Sequence, residues 1–264
     1  MTVSDTVLLA DLPGNVRVLT LNRPERLNAW NQEMRDRFGE LLAEVAAAPD
    51  IRALVITGAG RAFSAGEDVG GMKGLTDAGT RTFRALARSI HELFDLIEAM
   101  EIPVIAAVNG VAAGGGFELA LSCDFRVLTG DAKLLMPEAK VGLIPGSGGC
   151  SRLVRYVGLG RAKELVMLGR ALSPEEAVAW GLATEVAPPG KALDAALALA
   201  DAMSVRAPLA LGMAKHVLNT CVDVDLETGR RLERLGQSVL KTTEDHREGA
   251  SAFLERRVPM WRSR

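Results

Sequence analysis

Glu118 and Glu138 stand 20 positions apart, and each is set in glycine-rich sequence. The first closes the run Ala113-Gly114-Gly115-Gly116-Phe117-Glu118. The second opens Pro137-Glu138-Ala139-Lys140-Val141-Gly142-Leu143-Ile144-Pro145-Gly146-Ser147-Gly148-Gly149. Two carboxylates can divide acid and base work, and glycines beside them let backbone N–H groups approach a ligand. The chemistry this allows is proton transfer next to a negative charge held by backbone donors. A bland reading competes with it, because an isolated glutamate is usually a solvated surface charge and three glycines alone make a turn. Context favours the sharper reading. Leu119-Ala120-Leu121 follows Glu118, and Glu138 comes just after the apolar run ending in Met136-Pro137. Burial there raises a carboxyl pKa, which suits acid/base work, although structural ion pairs also perturb pKa values. From the residues alone, catalytic and structural roles both stay open.

The elements that must position these residues alternate in the first half of the chain. Val16-Arg17-Val18-Leu19-Thr20-Leu21 has the period of a half-buried strand, and Asn22-Arg23-Pro24-Glu25 breaks it. Met34, Phe38, Leu41, Leu42 and Val45 recur at helical spacing between Asn31 and Ala48. Ala53-Leu54-Val55-Ile56 reads as a buried strand. Thr80 to Met100 reads as a helix with Phe83, Leu86, Ile90, Leu93, Phe94 and Ile97 on its packed side. Pro103 to Val108 reads as a further buried strand running into Asn109-Gly110 and the triple glycine, with a helix starting at those glycines. Phe125 to Leu128 and Lys133 to Met136 read as short strands. Repeated strand–strand–helix units predict a layered or spiral α/β core. After Gly148 the pattern is mostly helical. Ser173-Pro174-Glu175-Glu176 predicts an N-cap with proline in the first turn, and Gly181 predicts a stop. Segments near 191–204, 208–221, 226–241 and 244–256 are helix-like. The domain expectation is a core over residues 1–200 and a helical region over 201–264 that packs on a partner subunit or covers the site.

A helix start at the glycine run would offer free N–H groups to an anion. Phosphate-loop alternatives fail: no G-x-x-x-x-G-K-[ST] occurs, and Phe63 breaks the dinucleotide fingerprint after Gly58-Ala59-Gly60. Ser64 in Ala62-Phe63-Ser64-Ala65-Gly66 nearly matches the nucleophile elbow of serine hydrolases. Gly58-Ala59-Gly60 separates it from its strand, however, and Glu67-Asp68-Val69-Gly70-Gly71 is a poor helix start. His91 has apolar neighbours at helical spacing and reads as a partly buried or surface histidine.

The bulk numbers fit one large globular domain of 264 residues. A net charge of −2 leaves no basic footprint for nucleic acid or an anionic membrane. No apolar run approaches the roughly 20 residues of a membrane span, and Met1-Thr2-Val3-Ser4-Asp5 does not read as a secretory signal. Cys123, Cys150 and Cys221 are odd in number and far apart, which points away from disulfides and zinc and toward the cytoplasm.

Read together, the chain resembles the enoyl-CoA hydratase/isomerase (crotonase) superfamily over nearly its whole length. Five ordered blocks carry the resemblance. They are Asn22 to Ala29, Arg61 to Asp68, Pro103 to Asp124, Pro137 to Gly149, and Asp245 through Arg257. The resemblance implies an α/β fold: a crotonase-like spiral of repeated ββα units with a C-terminal helical region. It implies that the backbone N–H groups of Glu67 and Gly115 form an oxyanion hole for a thioester carbonyl. It implies that Glu118 acts as base on water and Glu138 supplies the Cα proton of a 2-enoyl-CoA. Arg26, Asn28, Ala65, Asp68, Val69, Gly114 and Gly142 are the implied substrate and CoA contacts. Retention of both glutamates favours hydration. No metal or redox cofactor is implied, coenzyme A being part of the substrate. The implied assembly is a homotrimer or a dimer of trimers.

The fold hosts several reactions, so 3,2-enoyl-CoA isomerisation, another crotonase lyase activity, and CoA-thioester binding without turnover stay open. So do a secondary role on RNA and, most distantly, a serine hydrolase. The sequence departs from the common pattern at three places. Glu67 is acidic where a small residue is frequent, Gly70 replaces a basic residue, and Trp30 replaces a smaller aliphatic one.

Overall fold

The computed structural model describes residues 6–68, 70 and 79–264. Strands β1 (Val7–Leu12) and β2 (Val16–Leu21) form an antiparallel hairpin. Helix α1 (Gln32–Ala47) follows, with Asn31 capping it by accepting the Met34 N–H. Then strands come in pairs. β3 (Ala53–Gly58) is followed by β4 (Ala62–Ser64) and helix α2 (Gly79–Ala99). β5 (Val104–Val108) is followed by β6 (Val111–Ala113) and helix α3 (Gly115–Ser122). β7 (Phe125–Thr129) is followed by β8 (Lys133–Leu135), a 3₁₀ turn over Glu138–Val141, and helix α4 (Gly149–Leu168).

The first strand of each pair joins one sheet and the second joins another. The larger sheet has the order β1-β2-β3-β5-β7-β9, with β9 at Glu185–Ala187, and the smaller has β4-β6-β8. Every pairing except β1 with β2 is parallel. Each ββα unit is therefore one turn of a spiral, as the repeated strand–strand–helix pattern predicts. Buried on both faces, β3 and β5 carry the continuous apolar runs such strands need. One face of the larger sheet meets Phe38, Phe63, Phe94 and Phe117 in the main core. The other face is covered by helix α6 (Ala192–Ser204) through Ala192, Ala196 and Ala200.

Helix α5 (Pro174–Ala179) starts with the reciprocal capping box of Ser173 and Glu176. The chain ends in helices α7 (Pro208–Cys221), α8 (Leu226–Leu240) and α9 (Glu244–Glu255). Lys215 ties α7 to the core. Its buried ammonium donates to the carbonyls of Ile97 and Ile102 and pairs with Asp124 at 2.8 Å. Among the described residues no single helix is long and apolar enough to cross a membrane.

Two expectations change. The apolar side expected of α2 is packed only at its C-terminal half, where Phe94 and Ile97 are buried, whereas Phe83 is 42% exposed. The N-terminal half of α2 reaches past the core and walls a cleft instead. Strands β1, β4, β6 and β9 join the sheets without having been read from the sequence.

Candidate active site

The glycine run turns the end of β6 into the start of α3. Gly114 is the N-cap at φ +50, and α3 begins at Gly115 with Glu118 in its first turn. A Cβ at Gly114 would lie 2.8 Å from Glu138 Oε1, and one at Gly116 would lie 2.3 Å from the Ser64 carbonyl. These two glycines are thus demanded by close approach: one admits a carboxylate, the other lets α3 rest on β4.

The loop after β4 meets the same place. A Cβ at Gly66 would lie 3.1 Å from Gly115 N. The Trp30 N–H donates to the Gly66 carbonyl at 2.7 Å, and the Asp68 N–H donates to the Trp30 carbonyl at 2.9 Å. Glu67 lies between these two bonds. Its own N–H, and that of Gly115, donate to no acceptor among the described residues. Two neighbouring unmet donors, one at a helix N-terminus, make a binding place for negative charge.

Glu118 is 3% exposed. Its Oε1 accepts the N–H of Ser147 at 2.7 Å and of Gly149 at 2.9 Å. Burial raises its pKa, and those two N–H bonds, with the charges of His91 and Arg152 behind them, oppose the rise. The donating loop is itself anchored. Buried Arg152 donates to the Ser147 carbonyl and pairs with Glu98 and Asp95 on α2. Glu138 has less support. Its Oε2 is buried with no hydrogen-bond partner. Burial pushes its carboxyl up to about 7, its own N–H opposing and the Glu118 charge adding to the rise. Two carboxylates, unequally supported, therefore lie at the helix start that carries one of the unmet donors: Glu118 in its first turn and Glu138 beside Gly114. Among the described residues no three His, Cys, Asp or Glu side chains form a metal-ligand group.

Several residues expected to meet the substrate also have partners within the protein. Asn28 is fully buried, and its side chain accepts the Arg23 N–H and donates to the carbonyls of Ala59 and Ala62. These three bonds make it a clamp between the loops. Gly114 is buried beside Glu138, its N–H donating to the Leu135 carbonyl and its carbonyl accepting the Glu118 N–H. The Asp68 carboxylate pairs with Arg23 at 3.1 Å and accepts the Gly70 N–H, so it fastens the loop. The Arg23 bond, above all, holds its carboxyl below the usual range. Ala65 is half-buried beside the loop, and Arg26 and Gly142 are exposed. Val69 lies outside the described residues.

Ser64 is fully buried; its hydroxyl donates to the Asn28 carbonyl at 2.8 Å and accepts the Gly66 N–H. Ser64→Ala is expected to lower unfolding free energy by about 1–2 kcal/mol, because it strands a buried donor and acceptor. Turnover per folded molecule should survive. Denaturant melts and active-site titration check this, and complete loss of turnover would return Ser64 to the nucleophile role.

Sequence reasoning missed Ser147, Gly149, Arg152 and Arg35. The first two had a readable signal, since Gly146-Ser147-Gly148-Gly149 precedes a helix and so carries free N–H groups. The two arginines had none.

The sequence and the spiral both match known proteins. The sequence pattern of the enoyl-CoA hydratase/isomerase family matches residues 11–264, and the chain belongs to that family. It is similar to a short-chain-enoyl-CoA hydratase of Clostridium acetobutylicum, with 35% identity over 95% of each chain. It is also similar to a 1,2-epoxyphenylacetyl-CoA isomerase of Escherichia coli, with 38% identity over 96% of this chain and 97% of that one. Its backbone superposes on a crystal structure of an enoyl-CoA hydratase from Bacillus anthracis with a TM-score of 0.93. That match is 33% identical and covers 98% of this chain and 100% of the other.

Proposed function

We propose that the protein adds water reversibly across the 2,3 double bond of a 2-enoyl-CoA thioester. The observation that carries the reading is two unequally supported carboxylates at one helix start, Glu118 in its first turn and Glu138 beside Gly114, with unmet backbone donors at Gly115 and in the adjoining Gly66–Glu67 loop. The donors of Glu67 and Gly115 draw charge onto the thioester oxygen, which makes Cβ electrophilic and stabilises the enolate-like transition state. Glu118, held by two N–H groups that favour its anion, takes a proton from the attacking water. Glu138, with its carboxyl raised to about 7, carries the proton that goes to Cα. The reaction consumes one proton from one carboxylate and returns one to the other, so no metal or redox group enters it.

A turnover screen tests this. The protein is given 2-enoyl-CoA thioesters of increasing chain length, with 3-enoyl-CoA in parallel. Loss of the conjugated near-ultraviolet absorbance of the 2-enoyl series is expected. A gain of that absorbance from 3-enoyl-CoA, with no hydration, would replace the reading by isomerisation. Turnover of neither would leave a binding protein.

A further inference from the structure

Glu67 presents a conflict. Its N–H is one of the two donors for a forming enolate, yet its side chain carries a carboxylate of the same sign. Like charges placed together in a partly dry site oppose each other. Something must cancel that charge if the donor is to work.

Arg35, on α1, does so. Its Nη1 donates to Glu67 Oε1 at 2.8 Å and to Oε2 at 2.9 Å. Its Nη2 donates to the Gln32 amide oxygen at 3.1 Å. Arg35 is 8% exposed, so its charge is not spent on solvent. The pair lines a cleft of about 530 Å³ with Trp30, Thr82 and Leu86. Trp30 also reaches the glycine run, its Cδ1 lying 3.8 Å from the Cβ position of Gly115. The pair therefore lines a cleft whose Trp30 wall also touches the glycine run.

The pair is not needed to hold the loop. The backbone there is already fixed by the Trp30–Gly66 and Asp68–Trp30 bonds, by Ser64 on the Gly66 N–H, and by the Arg23–Asp68 pair. What remains for Arg35 to supply is charge.

We propose that Arg35 masks the Glu67 carboxylate so that the Glu67 N–H can stabilise an enolate. Arg35 acts through Glu67 and does not touch the reacting atoms. The proposal rests on the thioester reading above.

The test compares Arg35→Met, Arg35→Lys, Glu67→Gln and the double variant Arg35→Met/Glu67→Gln with the unaltered protein. Two readouts are taken. One is kcat and KM on crotonyl-CoA. The other is the near-ultraviolet enolate absorbance of bound acetoacetyl-CoA, which reports oxyanion stabilisation without hydration. Arg35→Met is expected to lower kcat and the enolate fraction by about ten- to a hundred-fold, with KM within about threefold. Arg35→Lys is expected within about fivefold of the unaltered protein, and adding Glu67→Gln to Arg35→Met is expected to recover most of the enolate fraction that Arg35→Met loses, because neither leaves an unmasked carboxylate. An unaffected Arg35→Met would overturn the proposal. So would a Glu67→Gln variant as impaired as Arg35→Met, since the pair would then act by holding the loop. If Arg35→Met does not fold, Arg35→Gln, which can still donate a hydrogen bond to Glu67 but carries no charge, takes its place: the same loss of enolate signal supports masking, and an unaffected signal overturns it. An enolate signal without hydration in the unaltered protein sinks the hydratase reading and leaves this one standing. Hydration with no enolate signal overturns this one alone.

Discussion

Glu118→Gln is expected to lower kcat for enoyl-CoA hydration by about 10³- to 10⁴-fold while KM stays within about threefold. The amide oxygen of glutamine can still accept the N–H groups of Ser147 and Gly149, so the side chain keeps its place. What is lost is the ability to take a proton from water. An effect confined to kcat marks a group that works only in the transition state. A Glu118→Gln variant with full turnover would end the paired-carboxylate mechanism.

The same substitution should make the fold more stable at alkaline pH. Burial raises the Glu118 pKa, so the folded protein binds that proton more tightly than the unfolded chain does. The resulting stabilisation is fully present below the unfolded value of 4.5 and is lost as pH rises through the raised folded value. Above it, the native protein holds a buried charge that glutamine removes. Thermal melts at pH 8 should therefore place Glu118→Gln above the unaltered protein, with the gap closing toward pH 4. Equal melting points at both pH values would show that the two backbone donors fully repay the burial.

How far the sequence reveals this site depends on contact range. Helix α1 was readable because its cap and its apolar stripe, Met34 to Val45, are local. The buried strands β3 and β5 were readable because both faces demand apolar residues. Strands β4, β6 and β9 were not, because each has three residues, too few for a period, and none carries an apolar run like the Leu134-Leu135-Met136 that marks the equally short β8. β1 was missed for another reason: only Val7 is buried along it, so it lacks an apolar alternation. The exposed Phe83 shows the opposite error, since periodicity identifies a helix face but not where its packing partner ends. Within the site, the glutamates and glycine run stood out by composition. The roles of Asn28, Asp68 and Gly114 did not, since each is set by a partner brought close by folding. Asn28 binds carbonyls 31 and 34 residues away, and Asp68 meets Arg23 across 45. The Arg35–Glu67 pair spans 32 residues and has no local signature at all.

Glu138→Gln is the second large effect, and its pH dependence separates it from the first. Loss of the Cα proton donor should lower kcat by about 10²- to 10⁴-fold in both directions of the reaction. The two carboxylates share one working proton. In hydration it starts on Glu138 and a proton ends on Glu118; dehydration reverses this. The state with one proton on the pair is thus the active one in both directions, and its loss should give kcat/KM the same alkaline limb in each. That limb should lie near the value of about 7 to which burial, with the Glu118 charge, raises Glu138. Glu138→Gln should erase it from whatever activity remains. Glu118→Gln should move it downward, because removing that charge removes one of the causes of the rise. Hydration and dehydration profiles for the three proteins check all of this. An alkaline limb that survives unchanged in Glu138→Gln would mean that it belongs to another group and that the proton delivered to Cα does not come from Glu138.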